Sequence, residues 1–196
     1  MDQLVEIKSK IQINPSRVGK KYFVKTFGCQ MNEHDSERIS GMFELDGMSK
    51  AISEEYADVL FVNTCTIREN ADDKLYGTLG QLKQWKSQKD NRKLLVGGCA
   101  AQKDKELVRE KAPWVDVVIG THNLTNVVDL LNRSEDWGPI TEIIDEIETL
   151  PTEAPSIRES EYSAWVTIQI GCNNSCTFCI VPSVRGQEIS LSLIHI

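Results

Sequence analysis

Three times along this chain a short apolar run ends in a cysteine-bearing loop and gives way to a helical pattern. Tyr22-Phe23-Val24-Lys25-Thr26-Phe27 stops at Gly28-Cys29, Val59-Leu60-Phe61-Val62 at Asn63-Thr64-Cys65, and Leu94-Leu95-Val96 at Gly97-Gly98-Cys99. Aromatic and β-branched residues in runs of this length favour strands, and a continuous apolar run such as 59–62 suits a parallel strand buried on both faces. After the first loop Asn32 offers an N-cap, with Asp35 three residues on, and Ile39, Met42 and Phe43 give an apolar helix face up to about Leu45. After the second, Leu75, Leu79 and Leu82 stand at i, i+4 and i+7 and predict a helix from about Arg68 to Trp85. After the third, a helix carries Leu107, Val108 and Ala112 and stops at Pro113. Asp46-Gly47 closes the first helix, and Lys50-Ala51-Ile52-Ser53 reads as a short edge strand. Val115 to Ile119 makes another strand, and Leu124, Val127, Val128 and Leu131 line a further helix.

Short buried strands alternating with amphipathic helices mean a parallel sheet covered on both faces and joined by right-handed crossovers. The expected fold class is α/β, a flavodoxin-like domain over about 21–135, after a polar leader over 1–20 in which order begins only at Lys21. In open parallel sheets the ligand site lies beyond the carboxyl ends of the strands, and Cys29, Cys65 and Cys99 each fall one to three residues past such an end. Taken singly, each reads as readily as an ordinary buried thiol. Three in equivalent loops point to convergence on one site.

A second group follows in Gly171-Cys172-Asn173-Asn174-Ser175-Cys176-Thr177-Phe178-Cys179-Ile180-Val181-Pro182-Ser183-Val184-Arg185-Gly186. Its cysteines are spaced C-x-x-x-C-x-x-C, close enough for one loop to wrap three thiolates round a 4Fe-4S cluster, and no fourth Cys follows locally. Three ligands for four irons leave one iron open, and S-adenosylmethionine can offer it an amino and a carboxylate group. The same spacing would also share one face of a core helix, although Gly171, Asn173, Asn174 and Pro182 make poor helix surroundings. Zinc is the other reading, but it usually takes four ligands in a closed site and no second C-x-x-C pair is present.

With 196 residues the chain is long enough for one domain and part of another. No apolar run approaches membrane-spanning length, so the protein is read as cytoplasmic with no membrane partner. Six cysteines in a reducing compartment, placed in Gly-rich loops, point to metal rather than disulfides. The net charge of −7 argues against RNA, because phosphate binding normally needs a basic face.

The segment 171–186 resembles the cluster loop of the radical S-adenosylmethionine enzymes, in the version found in the methylthiotransferases. Thr26-Phe27-Gly28-Cys29-Gln30-Met31-Asn32, Asn63-Thr64-Cys65-Thr66-Ile67-Arg68-Glu69 and Gly97-Gly98-Cys99-Ala100-Ala101-Gln102 resemble the three cysteine motifs of that family's N-terminal domain, so the resemblance covers about 21–188. It implies two 4Fe-4S clusters: Cys172, Cys176 and Cys179 would hold the radical-generating one, which binds S-adenosylmethionine. Cys29, Cys65 and Cys99 would hold an auxiliary one whose open iron takes extra sulfur. The implied activity is methylthiolation of C2 of N6-isopentenyladenosine beside the anticodon of tRNA, by a monomer served by an electron donor such as flavodoxin or ferredoxin. Sister branches act on threonylcarbamoyl-adenosine in tRNA or on an aspartate of a ribosomal protein, but the run Gly28 to Asn32 looks most like the isopentenyl-adenosine branch. Outside the family, a non-catalytic iron-sulfur or zinc-binding module is the competing class.

Residues 136–163, with Pro139, Pro151 and Pro155 among many Glu, Asp, Ser and Thr, read as a linker with one short strand at Ile143-Ile144. Ala164-Trp165-Val166-Thr167-Ile168-Gln169-Ile170 alternates as a first strand, and the resemblance makes 164–190 the start of a partial β/α barrel, with an RNA-binding module beyond it. After Glu188-Ile189-Ser190 the family pattern would continue into an Arg, whereas here Leu191 opens an unrelated-looking tail over 191–196. The expectation is a truncated chain, inactive by itself, with residues after about 160 mobile and the second cluster loop in solvent.

Overall fold

The computed structural model describes residues 14–66, 71–146, 154–158 and 160–191. Six strands, β1 (Lys21–Thr26), β2 (Ser49–Lys50), β3 (Val59–Thr64), β4 (Lys93–Gly98), β5 (Val117–Ile119) and β6 (Ile140–Glu142), make one sheet in the order β2-β1-β3-β4-β5-β6. Every neighbouring pair is parallel. The flavodoxin-like expectation holds, with β6 added at the edge, and the strand order turns back on itself between β1 and β3.

Side chains alternate across the pleat, so each central strand feeds two cores. Leu60, Val62, Leu94, Val96 and Val118 pack against Leu75, Leu79 and Leu82 of helix α2 (Ala71–Ser87). Val59, Phe61, Leu95, Val117 and Ile119 face Ile39, Met42 and Phe43 of α1 (Gln30–Leu45) and Val127, Leu130 and Leu131 of α5 (Val127–Trp137). Each such side chain, buried whole, contributes about 1.5–3 kcal/mol.

Several expectations are corrected. The helix of 107–112 is preceded by its own short partner: α3 (Cys99–Asp104) and α4 (Leu107–Lys111) are separated by Lys105, whose φ of +50° lies in the left-handed region and breaks the hydrogen-bond ladder. Val108 and Ala112 are buried, but Leu107 faces out. Asn32 is not the N-cap of α1. Cys29 is, and Asn32 turns inward at the third helical position. The strand expected at 143–144 is β6 at 140–142, which pairs with β5 and carries the sheet past residue 135. Residues 14–20 of the leader are tied to the domain, since fully buried Arg17 donates Nη1 to Glu135 at 2.8 Å and Nη2 to Asn132 Oδ1 at 2.9 Å, with Nε 3.4 Å from Asp46. The expected start of α2 at Arg68, most of the leader, part of the linker and nearly all of the tail lie outside the described residues.

Of the strand expected over 164–170 only β7 (Gln169–Ile170) forms, and it pairs antiparallel with β8 (Ile189–Ser190). A parallel partner needs a long crossover, whereas a return segment can close an antiparallel pair at once. Between them lies α6 (Val181–Arg185). This unit rests on α1, whose residues Asn32 to Phe43 are buried nearly all round. Ile157 N donates to Glu37 O at 3.0 Å, Arg38 Nη2 donates to Thr167 Oγ1 at 3.3 Å, and His34 Nδ1 lies 2.9 Å from the same hydroxyl. No helix among the described residues is long and apolar enough to cross a membrane.

Candidate metal centre

Cys29, Cys65 and Cys99 follow β1, β3 and β4, three adjacent strands. Neighbouring strands run about 5 Å apart, so the fold gathers the three residues at one edge of the sheet. Cys65 and Cys99 are buried, Cys29 is half-buried, and none of the six cysteines is in a disulfide.

What locks the three loops together is a buried polar lattice. Asn32 Nδ2 donates to Asn63 Oδ1 at 3.0 Å and to Thr64 O at 3.2 Å, while Asn63 Nδ2 donates to Asn32 O at 2.8 Å and Ser36 Oγ at 2.9 Å. Ser36 Oγ bonds Thr26 Oγ1 at 2.8 Å, and Thr64 Oγ1 donates to Gly97 O at 2.9 Å. The backbone N–H of Cys29 donates to Asn32 Oδ1 at 3.3 Å, with the Cys29 thiol 3.5 Å from the same oxygen. Buried amides are costly unless paired, and here one pair of asparagines ties the first two loops together while Thr64 carries the lattice to the third. Glycine is required beside it. At Gly98, φ is +91° and a Cβ would lie 2.4 Å from Asn63 Oδ1 and 2.5 Å from Thr64 O. At Gly28 a Cβ would lie 2.3 Å from Asn32 Oδ1.

Cys99 opens α3, and three residues on Gln102 accepts the N–H of Thr121 at 2.9 Å and donates to Ile144 O at 3.0 Å, pinning the helix to the loop after β5. The Cys99 thiol is covered by Arg185 from the end of α6. Nε donates to Cys99 Sγ at 3.3 Å, and Nη2 pairs with Asp35 Oδ2 at 2.7 Å. Burial pushes the Cys99 thiol up, and the guanidinium opposes that. Burial also weighs against the charged form of Arg185, but Asp35 and the Cys99 sulfur outweigh it and raise its pKa.

Cys172, Cys176 and Cys179 occupy the loop between β7 and α6, the first half-buried and the other two exposed. Its stem is tight. Cys172 N donates to Gly186 O at 3.2 Å, and a Cβ on Gly171 would lie 2.0 Å from Gln187 O. Within the loop Cys179 N donates to Cys176 O at 3.1 Å, and Asn174 Nδ2 lies 3.4 Å from Cys172 Sγ. Phe178 is fully exposed beside them.

Among the described residues no three His, Cys, Asp or Glu side chains lie close enough to share one metal ion. The fold brings each cysteine group to one place without closing its sulfurs on a centre. The donor chemistry fits iron and sulfur: three cysteines outside any disulfide per group, with no fourth cysteine within either. A cleft of about 270 Å³ lined by Gly28, Glu33, Thr64, Cys65 and Lys74 opens beside the first. Sequence reasoning named the six cysteines but missed Asn32 and Asn63 as the lattice that fixes them, and missed Asp35 and Arg185. The only signal available was that all four stand within or near the cysteine motifs.

Comparison with known proteins gives the family. The sequence profile described as Uncharacterized protein family UPF0004 matches residues 21–120, which takes in Cys29, Cys65 and Cys99. The chain is 51% identical over 183 residues to the tRNA-2-methylthio-N(6)-dimethylallyladenosine synthase of Corynebacterium urealyticum, covering 93% of this chain and 34% of that protein. It is 54% identical over 174 residues to the synthase of the same name from Corynebacterium jeikeium, covering 88% of this chain and 34% of that one. Against the synthase of Tropheryma whipplei it is 57% identical over 168 residues, covering 85% and 36%. The chain thus spans about a third of the length of the curated relatives it matches. The family drawn from the cysteine motifs is borne out, and on the match over more than half its length the chain belongs to the UPF0004 protein family.

Proposed function

We propose that this chain carries the cysteine-bearing part of a tRNA methylthiotransferase that acts on C2 of N6-isopentenyladenosine beside the anticodon. The observation that carries the reading is the placement of Cys29, Cys65 and Cys99 at the ends of three adjacent strands, in a chain 51–57% identical to synthases of the corresponding methylthio nucleoside. Cys29, Cys65 and Cys99 would hold one 4Fe-4S cluster, and Cys172, Cys176 and Cys179 another. When bound, the two would supply sulfur and, with S-adenosylmethionine, the carbon-centred radical that an unactivated C–H bond requires. The chain's own contribution is to fix the ligands: the Asn32–Asn63 pair, extended by Thr64 to Gly97, holds the first three loops, and the 171–187 stem presents the second group. An electron donor of flavodoxin or ferredoxin type, a monomeric state and a cytoplasmic setting belong to the same reading. So does the expectation that these 196 residues do not turn over by themselves, since β7 and β8 are two residues each and form no barrel wall.

The test is nucleoside analysis of tRNA from cells lacking the protein. Isopentenyladenosine without its methylthio group is the expected result. Intact methylthio-isopentenyladenosine together with loss of a different methylthio product would move the protein to a sister branch.

A further inference from the structure

Arg185 runs from the segment of the second cysteine group to a cysteine of the first. It leaves the chain six residues after Cys179, at the end of α6, yet its guanidinium is buried on the far side of the junction, against the sheet edge. Nε–H points at Cys99 Sγ at 3.3 Å, and Nη2 is paired with Asp35 of α1 at 2.7 Å, where both side chains are almost fully enclosed. A guanidinium presents donors in a fixed fork, so one group can hold a sulfur and a carboxylate at set angles in a way an ammonium cannot. Neighbouring contacts aim it. Thr121 Oγ1 donates to Val184 O at 2.6 Å, so the loop after β5 grips the residue before Arg185. Gly186 N donates to Pro182 O at 3.0 Å and closes α6 behind it. Burying an arginine is costly unless it is paired and bonded, which makes a buried arginine that uses a thiol as partner hard to explain by packing alone.

We propose that Arg185 is a positioning residue that couples the two cysteine groups: it fixes where the Cys172–Cys179 loop sits against the sheet edge and donates a charged hydrogen bond to the Cys99 sulfur. The second half rests on the reading of Cys29, Cys65 and Cys99 as ligands of one iron-sulfur cluster. In that setting the contact sets the cluster's reduction potential, because hydrogen bonds to ligand sulfurs and nearby positive charge both favour the reduced form. The first half needs no metal.

Two measurements test it. In the metal-free chain, amide hydrogen exchange is compared between wild type and Arg185→Met. The expected result is faster exchange at Cys172, Val184 and Gly186, with the amides of β1, β3 and β4 unchanged, which also shows that the variant folds. Unchanged exchange at those three positions overturns the proposal, whatever the iron does. The second measurement uses the chain with Cys172, Cys176 and Cys179 replaced by Ala, reconstituted anaerobically with iron and sulfide, so that only the first group can bind a cluster. There Arg185→Met is expected to shift the midpoint potential to a more negative value, and Arg185→Lys, which keeps the charge but loses the fork, to shift it less. Asp35→Asn, which keeps the Cys99 contact, provides a second variant should Arg185→Met fail to fold, and is expected to loosen α6 with a smaller shift in potential. A potential unmoved by Arg185→Met, with exchange accelerated, reduces Arg185 to a packing residue and overturns the coupling. Failure of the triple-Ala chain to take up iron overturns the ligand reading instead, and the exchange result then decides the docking half alone.

Discussion

Cys29, Cys65 and Cys99 sit on the ends of three neighbouring strands in a six-stranded sheet, whereas Cys172, Cys176 and Cys179 sit on a loop closed by two residue pairs between β7 and β8. In the first region the backbone around each cysteine is held by buried side-chain amides and by glycines with no room for a Cβ. In the second, two of the three cysteines are exposed, and the described contacts within the loop are few. Position in the first group is therefore a property of the global fold, and in the second a property of a local stem and of the few contacts through Thr121 and Arg185 that dock it. Perturbing the two regions in matched ways should give unequal results, and equal results would break the comparison.

The largest inequality is expected from glycine substitution. Gly98→Ala forces a Cβ against Asn63 Oδ1 and Thr64 O in a backbone conformation that L side chains rarely adopt, and it should destabilise the whole sheet domain by more than about 3 kcal/mol. Gly171→Ala meets an equally close backbone atom, Gln187 O at 2.0 Å. There the strain can be relieved by opening a two-pair hairpin, so the global unfolding free energy read from urea melts should fall by less than about 0.5 kcal/mol. Paired urea melts followed by circular dichroism check both. A Gly171→Ala midpoint that falls as far as that of Gly98→Ala would show that the two regions unfold as one.

Asparagine substitution should give the next effect. Asn63→Ala removes three hydrogen bonds from a buried network and leaves the Asn32 amide and carbonyl and the Ser36 hydroxyl short of partners. A loss of about 3 kcal/mol is expected. Asn174→Ala, in the second loop, removes one exposed contact to Cys172 Sγ and should cost less than about 0.5 kcal/mol. Anaerobic iron uptake measured on both variants would show whether loss of the lattice also costs the first group its metal.

A smaller effect, and one confined to the first region, is its response to acid. Asp46 is pushed up to about 6, by burial first, against the opposing pull of Arg17 and Lys20 and with Glu135 adding to the rise. A carboxyl that holds its proton more tightly folded than unfolded favours the fold at low pH. Stability should therefore fall as the pH rises from about 4 to about 6, with the deficit complete above that. Burial of Asp46 thus outweighs its attraction to Arg17 once the carboxyl is charged. Asp46→Asn should match the wild type near pH 4 and exceed it at pH 7 by on the order of 2 kcal/mol. Urea midpoints at the two pH values check this, and a constant difference would place the charge elsewhere.

The same division decides what could be read from the sequence. Strands such as 59–62 and the helix of Leu75, Leu79 and Leu82 announce themselves because burial on a sheet leaves a periodic apolar signature, and the cysteines at the strand ends follow from topology. Polar atoms that meet across the fold leave no such period. Asn32 looks like a helix cap in sequence because its type suits that role, and only the meeting of α1 with β3 shows that it serves Asn63 instead. Helix α1 carries one apolar face in sequence but is buried on its polar side as well, since residues 154–158 and Thr167 cover it. The break at Lys105 has no Gly or Pro to mark it. The reach of Arg185 to Cys99 spans 86 residues of sequence, beyond any local pattern.

The smallest effect is the sharpest probe of whether the regions are coupled. Gly80 lies in the interior of α2, exposed, with nothing within 4 Å of where a Cβ would stand. Gly80→Ala should therefore stabilise the sheet domain by about 0.5–1 kcal/mol, through lower backbone entropy in the unfolded chain and higher helix propensity. Amides that exchange only by global unfolding gain the full increment, and amides that open locally gain none. Those of β3 and β4 should show it. Ile170 and Cys172, which open with the hairpin, should exchange at the wild-type rate, because two residue pairs are too few to survive as part of the global unit. Equal slowing at Ile170 and Leu95 would mean that the contacts of Arg185 and Thr167 with the sheet domain make one cooperative body of both regions, and that the second cysteine loop is held as firmly as the first.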